Sequence, residues 1–221
     1  MARRPLASWS AVAARPIDLS DPDADLGPLV SALAAGGAVV LPTDTVYGLA
    51  CAAHLPDACE RTLRLKERDL AQPSAVLCGS VETLFTTALP ELFGRAGVLA
   101  RRLLPGPVTL VVPNPARRFR WLCGPAPDRI GVRVPDLEPR LASAIDRVGP
   151  LLATSANLHG GPDPTRLEDV PAALLDRVAV AVDGGGLRGT PSTVVDLTGG
   201  EPAILRHGAI PADAVLRALS G

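Results

Sequence analysis

The sequence predicts an α/β fold in which helices cover a central sheet that is antiparallel in part. Three observations carry this. Short Val-rich apolar runs alternate with segments whose apolar residues recur at helical spacing. The last runs, near 178–183, 192–197 and 203–206, follow one another with no helical pattern between them, which favours antiparallel pairing there. Hydrophobic residues make up 47% of the 221-residue chain, enough for a substantial core.

In chain order, residues 1 to about 20 hold no sustained period and read as an arm or a loose first strand. Their start, MARRPLASWSAVAARP, is basic and then apolar in the manner of an export signal. The apolar part is short and is broken by Ser8, Trp9 and Ser10, so it reads as a leader on a cytoplasmic chain. SDPDAD (20–25) offers N-cap candidates, and Leu26, Leu29, Val30 and Leu33 follow at helical spacing until Gly36 and Gly37 end the turn. The run 38–41 is too short for a helix and is closed by Pro42, so it is a buried strand that delivers PTDTVYGLA (42–50) at its carboxyl end. The pattern continues with a helix near 56–67, a strand at 74–78, helical segments within 81–104, strands at 108–112 and 129–134, a helix at 139–148, a strand at 151–154 and a helix at 167–177. The three late strands and a final helix at 211–219 complete it. No repeat or long linker divides the chain, which gives an arm over 1–20 and one domain over 21–221.

Composition narrows the function. Lys and Arg total 22 against 23 Asp and Glu, so no global basic field draws nucleic acid or anionic lipid to the surface, and an anion site has to be local. Aromatic residues at 3% are too few for a stacking platform on single strands. Cys51, Cys59, Cys78 and Cys123 form no C-x-x-C pair and have no His at zinc-ligand spacing, and they read as buried or idle thiols. No segment is long enough to span a bilayer. Small polar residues collect where the strands end, at Thr43, Asp44 and Thr45, at Ser155 and Asn157, and at Ser192 and Thr193. Singly these are turn and cap residues. Several on different strands point to a ligand crevice outside the carboxyl ends of the strands.

PTDTVYGLA (42–50), the K-x-R of KERDLAQP (66–73), PGPVTLVV (105–112), GVRVPD (131–136), TSANLHGGPDPT (154–165), STVVDL (192–197) and LRHGAI (205–210) occur in one order. From about residue 20 to the C-terminus the chain thereby resembles the YrdC-like threonylcarbamoyl-AMP synthase family in its short, single-domain form. The resemblance implies a YrdC-like fold, a twisted, mixed open sheet flanked by helices with a large concave groove. It implies a cytoplasmic enzyme that joins L-threonine, bicarbonate or CO2 and ATP into threonylcarbamoyl-AMP with release of pyrophosphate, for threonylcarbamoyl-adenosine modification of tRNA. Mg2+ is expected with ATP, with unknown ligands, and the tRNA threonylcarbamoyltransferase machinery is the expected recipient of the product.

Residue by residue, the family pattern puts Lys66 and Arg68 on the phosphates as the catalytic pair. Arg206, Arg133, Asn157 and Thr165 become further ATP contacts, and Thr43, Thr109, Ser155 and Ser192 become threonine contacts. Attack at the α-phosphorus adds charge as pyrophosphate departs, so held cations supply most of what the reaction needs. Guanidinium groups can fork onto phosphate oxygens, whereas an ammonium acts as a point charge. Hydroxyls that bond the threonine hydroxyl reject valine better than an apolar wall could. Tyr47 divides between the core and the pocket. His54, His159 and His207 are given no role, because aligning reactants and excluding water suffices.

Four positions depart from the family pattern, two of them Ser74 and Leu77, which replace a Leu and, in some members, a His that approaches threonine. Asp69 stands where Pro often follows the K-x-R, and Asp163 stands where Ser often precedes Pro-Thr. A carboxylate near the phosphate cations weakens the local potential unless it points away or helps hold Arg68 or Mg2+. Two other readings remain open at this point. One is a paralog that forms a different carbamoyl-adenylate. The other is a non-catalytic double-stranded RNA-binding module, since duplex RNA can be read by shape and phosphate contacts without aromatics.

Overall fold

The computed structural model describes residues 15–158 and 160–220. A two-residue strand, β1 (Ile17–Asp18), leads to helix α1 (Gly27–Ala34), which carries proline in its first turn, where the missing N–H has no helical partner to lose. Helix α1 ends in a pair of nested backbone bonds, Gly36 N to Leu33 O and Gly37 N to Ala32 O, at 3.0 and 2.8 Å. This cap needs one left-handed residue, and Gly36 supplies it at φ 76°. Strand β2 (Val39–Leu41) follows. The chain then returns antiparallel to it as β3 (Gly48–Ala52), a strand that the sequence pattern does not reveal because glycine and alanine fill three of its five positions.

Helix α2 (Pro56–Leu65), β4 (Ala75–Leu77), α3 (Val81–Thr83) with a π-helical turn (Leu84–Ala88), α4 (Gly94–Leu103), β5 (Val108–Pro113), β6 (Arg129–Arg133), α5 (Pro139–Val148) and β7 (Leu151–Ser155) occur in the predicted order. The expected helix over 167–177 is instead a 3-10 turn (Leu167–Asp169) and a short helix α6 (Ala172–Leu175). Pro171 separates them, since it has no amide hydrogen and its ring crowds the preceding turn. Strands β8 (Val180–Asp183), β9 (Thr193–Asp196) and β10 (Ala203–Arg206) and helix α7 (Ala212–Ser220) close the chain.

Among the described residues the ten strands form one sheet in the order β1-β8-β2-β3-β7-β4-β6-β5-β9-β10. Of the three late strands only β9 and β10 pair antiparallel, because β8 is inserted between β1 and β2 and runs parallel to both, while further antiparallel pairs lie in the middle of the sheet. β2–β3, β3–β7, β4–β7, β5–β6 and β9–β10 are antiparallel, while β1–β8, β2–β8, β4–β6 and β5–β9 are parallel. The two faces of the central strands differ sharply. Val76, Leu110, Val112, Val132, Leu152 and Val195 point into the main core, packed with residues of α2, α4 and α7. Each such leucine or valine, fully buried, contributes roughly 1.5–3 kcal/mol. Their alternate neighbours Ala75, Thr109, Val111, Gly131 and Ala153 point the other way, because strand side chains alternate with period two. A second core joins α1 and α5 to β2. All four cysteines are buried and free. No helix among the described residues is long and apolar enough to cross a membrane. The proposed leader lies almost wholly outside the described residues.

Candidate functional site

The face of the sheet left uncovered by those helices is the floor of a groove of about 520 Å3, within the range that takes a small organic ligand. The space exists because small side chains stand in register across four strands. Ala153 pairs with Ala75, Ala75 with Gly131, and Gly131 with Val111. The atoms nearest to a Cβ built on Gly131 would be those of Ala75 at 3.4 Å and Thr109 at 3.8 Å, ordinary contact distances.

At one end of the groove, the K-x-R segment leaves α2 through the same nested cap that ends α1. Glu67 N bonds to Arg64 O at 3.1 Å and Arg68 N to Leu63 O at 3.2 Å. Glu67 occupies the left-handed position at φ 55°. Its own side chain stays exposed, while Lys66 and Arg68 both reach strand β7. Arg68 donates from Nη1 to Thr154 Oγ1 at 2.9 Å and from Nη2 to the Pro73 carbonyl at 2.7 Å, and its buried Nε has no partner. Burial lowers its pKa, since the charged form loses water without gaining a carboxylate.

Lys66, the only lysine in the chain, is 5% exposed and stands behind the groove wall. Its Nζ contacts the Ser155 carbonyl at 2.5 Å, Asn157 Oδ1 at 2.6 Å, Ser155 Oγ at 2.9 Å and Thr154 Oγ1 at 3.3 Å. Every partner is neutral. Burial pushes its pKa down to about 8, Arg68 pushes the same way, and the Asp163 carboxylate opposes both. Lys66 in this arrangement touches β7 and the Asn157 loop and does not line the open groove.

At the other end Arg206 donates from Nη2 to the Ser192 carbonyl at 2.8 Å and to Ser192 Oγ at 3.1 Å, and Ser192 Oγ lies 2.7 Å from Thr109 Oγ1. Arg133 is of another kind. Its Nη2 donates to Asp44 Oδ1 and to Thr45 Oγ1, each at 2.5 Å, and to Thr43 Oγ1 at 3.3 Å. Burial lowers its pKa against the opposing pull of Asp44. Arg133 is therefore neither a surface residue nor a free cation. It ties the end of β6 to the turn after β2, and its charge is already matched. Asp44, which accepts the Asp136 amide as well, belongs to the site although sequence reasoning gave it no role. Its signal is an acidic residue held between two threonines in an otherwise apolar segment.

The groove wall thus unites Arg68, Arg133, Arg206, Thr43, Thr109, Ser155 and Ser192 of the expected site residues. The other three, Lys66, Asn157 and Thr165, lie off it, as does Tyr47. Asn157 backs Lys66, with its amide donating to Gly161 O at 2.6 Å. Thr165 is turned to Asp169, which accepts its hydroxyl at 3.0 Å. Tyr47 is a fully buried core ring whose hydroxyl donates toward Asp183 and Gly185 at 3.0 and 2.9 Å, with its pKa raised by burial to about 12. His54 and His207 are exposed, and His159 lies outside the described residues. Asp69 is exposed too, and its carboxylate accepts the Ala71 amide at 2.9 Å, away from the cations. Asp163 does face the groove. The expected crevice at the carboxyl ends of the strands is met only in part. Thr43, Arg133 and Ser155 sit at such ends, but Thr109 and Ser192 sit at the starts of β5 and β9, because the sheet is mixed. Among the described residues no three His, Cys, Asp or Glu side chains are grouped to hold a metal ion.

The family model Sua5_yciO_yrdC, described as "Telomere recombination", matches residues 31–208. A Mycobacterium tuberculosis relative is 36% identical over 208 residues, covering 91% of this chain and 94% of its own length. The threonylcarbamoyl-AMP synthase of Pyrococcus abyssi is 36% identical over 181 residues, with 81% of this chain and 53% of that protein covered. The crystal structure of Pyrococcus abyssi Sua5 complexed with L-threonine superimposes with a TM-score of 0.75 at 33% identity, over 86% of this chain and 56% of that one. The chain spans about half the length of these archaeal proteins and nearly all of the mycobacterial one.

Proposed function

The chain belongs to the Sua5/YciO/YrdC family, and from that premise we propose that it is an L-threonylcarbamoyladenylate synthase, which converts L-threonine, bicarbonate or CO2 and ATP to threonylcarbamoyl-AMP and pyrophosphate. One observation carries the proposal. Arg68 and Arg206 stand at opposite ends of the groove with neutral hydroxyl and carbonyl partners, and neither pairs with a carboxylate among the described residues. Two guanidinium groups without a carboxylate partner on one concave wall suit a polyanion, and the partial burial of Arg68 makes its field stronger than it would be in water.

In this reading Arg68 and the charge of Lys66 hold the triphosphate, and Arg206 holds the adenylate or the carboxylate of the amino acid. Val111, Val194 and Leu205 give the base and ribose an apolar wall. Thr43, Thr109, Ser155 and Ser192 supply the hydroxyls that would orient L-threonine, the amino acid with which the archaeal relative was crystallised. The carbamate oxygen attacks the α-phosphorus, and the fixed cations stabilise the charge that builds while pyrophosphate leaves. Mg2+ would come with ATP as part of the substrate and would spread the charge of the triphosphate, with no cluster of three ligating side chains among the described residues to hold it. The product would pass to the enzymes that complete threonylcarbamoyl-adenosine on tRNA.

The test is pyrophosphate release with Mg-ATP and bicarbonate, with and without L-threonine. Threonine-dependent release that falls at least 100-fold in Arg68→Ala and in Arg206→Ala is expected. Release indifferent to threonine would leave the fold and remove the function.

A further inference from the structure

On the reading of the groove as an amino-acid and ATP site, we infer that Ser155 and Lys66 form a proton relay that receives a proton from the ammonium group of the bound amino acid. Ser155 faces the groove, and Lys66 is the acceptor behind it.

The chemistry requires such an acceptor. An ammonium nitrogen has no lone pair, so it cannot bond to CO2 until it gives up a proton. The groove wall offers few candidates. Its cations are guanidinium groups, which have no lone pair to take a proton, Cys123 is a buried thiol with its pKa raised, and carboxylates as a class are poor bases toward an ammonium. No described histidine lines it. Lys66 differs from all of these. Its nearest atoms are the Ser155 carbonyl, Asn157 Oδ1 and two hydroxyls, with no carboxylate in contact.

That cage accepts both protonation states. As an ammonium, Lys66 donates to the two carbonyl-type oxygens and to one hydroxyl. As an amine, it keeps the two carbonyl-type acceptors with its two hydrogens and takes a hydrogen bond through its lone pair from Ser155 Oγ, 2.9 Å away, once that hydroxyl turns from Asn157 Oδ1, which accepts it at 2.7 Å in the structure. No polar atom is stranded in either state, so the cost of changing state is small. The charged groups that bear on Lys66 are Arg68 on its own turn and Asp163 on the loop after β7. With burial they place its titration at about 8, so a fraction of Lys66 is free amine at neutral pH.

The step balances. The substrate ammonium passes a proton to Ser155 Oγ while the Ser155 hydroxyl proton moves to Lys66 Nζ. The freed nitrogen lone pair bonds to the carbon of CO2, one C–O π pair moves onto oxygen, and the second N–H proton leaves to water as the carbamate forms. Lys66 is then an ammonium beside the phosphate site when adenylation begins.

Because Lys66 is the only lysine, the full chain labelled with [13Cε]lysine gives one lysine signal, and its titration is read directly. We expect a midpoint near 8, coinciding with a limb in the pH profile of kcat/KM for threonine. Lys66→Arg keeps the charge and loses the acceptor. Its kcat/KM for threonine is expected to fall about 100-fold at pH 7 and to recover as the pH rises through the titration of threonine's own amine. ATP formation from threonylcarbamoyl-AMP and pyrophosphate, which involves no amine deprotonation, should fall less than the forward reaction at pH 7 and show no recovery as the pH rises. Ser155→Ala should shift the kcat/KM profile in the same direction with the lysine midpoint retained, and it serves where Lys66→Arg does not fold. Equal loss of the forward and reverse reactions at every pH, or full forward activity of Lys66→Arg at pH 7, overturns the relay. A Lys66 midpoint above 10 in a protein that still releases pyrophosphate with threonine also overturns it. Wild-type protein with no threonine-dependent release overturns the functional reading itself.

Discussion

Asp44→Ala isolates the one ion pair that the groove shares with the core. The Arg133 and Asp44 side chains are 13% and 9% exposed and meet at 2.5 Å. Removing the carboxylate leaves a guanidinium among hydroxyls, away from water and without a counter-charge, and breaking a buried pair in this way costs about 3–5 kcal/mol. In a chain of this size each kcal/mol shifts Tm by about 2–4 °C, so Asp44→Ala should melt roughly 6–20 °C below wild type. The other oxygen of Asp44 accepts the Asp136 amide at 3.1 Å, so the loss should also loosen the 135–138 segment, seen as faster amide exchange. Arg133→Met on top of Asp44→Ala removes the stranded charge, and the double variant should regain at least half of the lost stability. Urea unfolding of wild type, both single variants and the double variant yields the coupling energy. A cost below about 1 kcal/mol for Asp44→Ala, or simple additivity of the two changes, would refute the reading of Arg133 as a matched, anchoring charge.

Three further outcomes follow from the same geometry. Glu67→Gly relieves a left-handed backbone that costs a side-chain-bearing residue about 1–2 kcal/mol, offset in part by the freer unfolded chain; a thermal melt should rise by about 1–4 °C with pyrophosphate release retained, and a fall in Tm would contradict the cap. Gly131→Leu places its first carbon against Ala75 and the rest in the groove, so the protein should stay folded by circular dichroism while nucleotide binding by calorimetry drops at least tenfold. Asp163→Ser removes the one carboxylate that raises the Lys66 pKa, so the single lysine should titrate below about 8; an unchanged midpoint would mean that Asp163 turns away from it in solution.

Much of the fold is legible in the sequence because its elements are marked at their ends. Gly36 stops α1, Pro42 stops β2, and Pro139 opens α5 where the helical spacing begins. Strand β3 is not legible, since Gly48, Ala50 and Ala52 carry no strand signal and are fixed by pairing with β2 and β7, contacts distant in sequence. The helix expected over 167–177 fails at Pro171, a local signal that the apolar spacing around it outweighs. In the site, the seven wall residues are legible from motifs in register. Which cations are free is not. Arg133 looks like Arg206 in sequence, and only the fold brings Asp44 to the first and the Ser192 carbonyl to the second. The turning of Asp69 into its own loop and of Asp163 toward the groove is likewise invisible in the sequence, where both are carboxylates near the same motif.

A chain with a net charge of −1 can still hold a polyanion, because affinity in a groove follows the unmatched charges nearby and not the total. Strands β7 and β9, which anchor Arg68 and Arg206, are separated by β4, β6 and β5, so the anchors lie roughly 19 Å apart along the sheet at about 4.8 Å per strand spacing. The row of Ala153, Ala75 and Gly131 keeps the space between them empty, and the hydroxyls of Thr109, Ser155 and Ser192 line it without adding charge. A ligand with anionic groups at both ends and hydrogen-bonding groups between matches that pattern, and a uniformly charged polymer does not, since Asp163 and Asp196 face the same groove. The two carboxylates repel a continuous phosphate backbone and leave room for a single nucleotide joined to an amino acid.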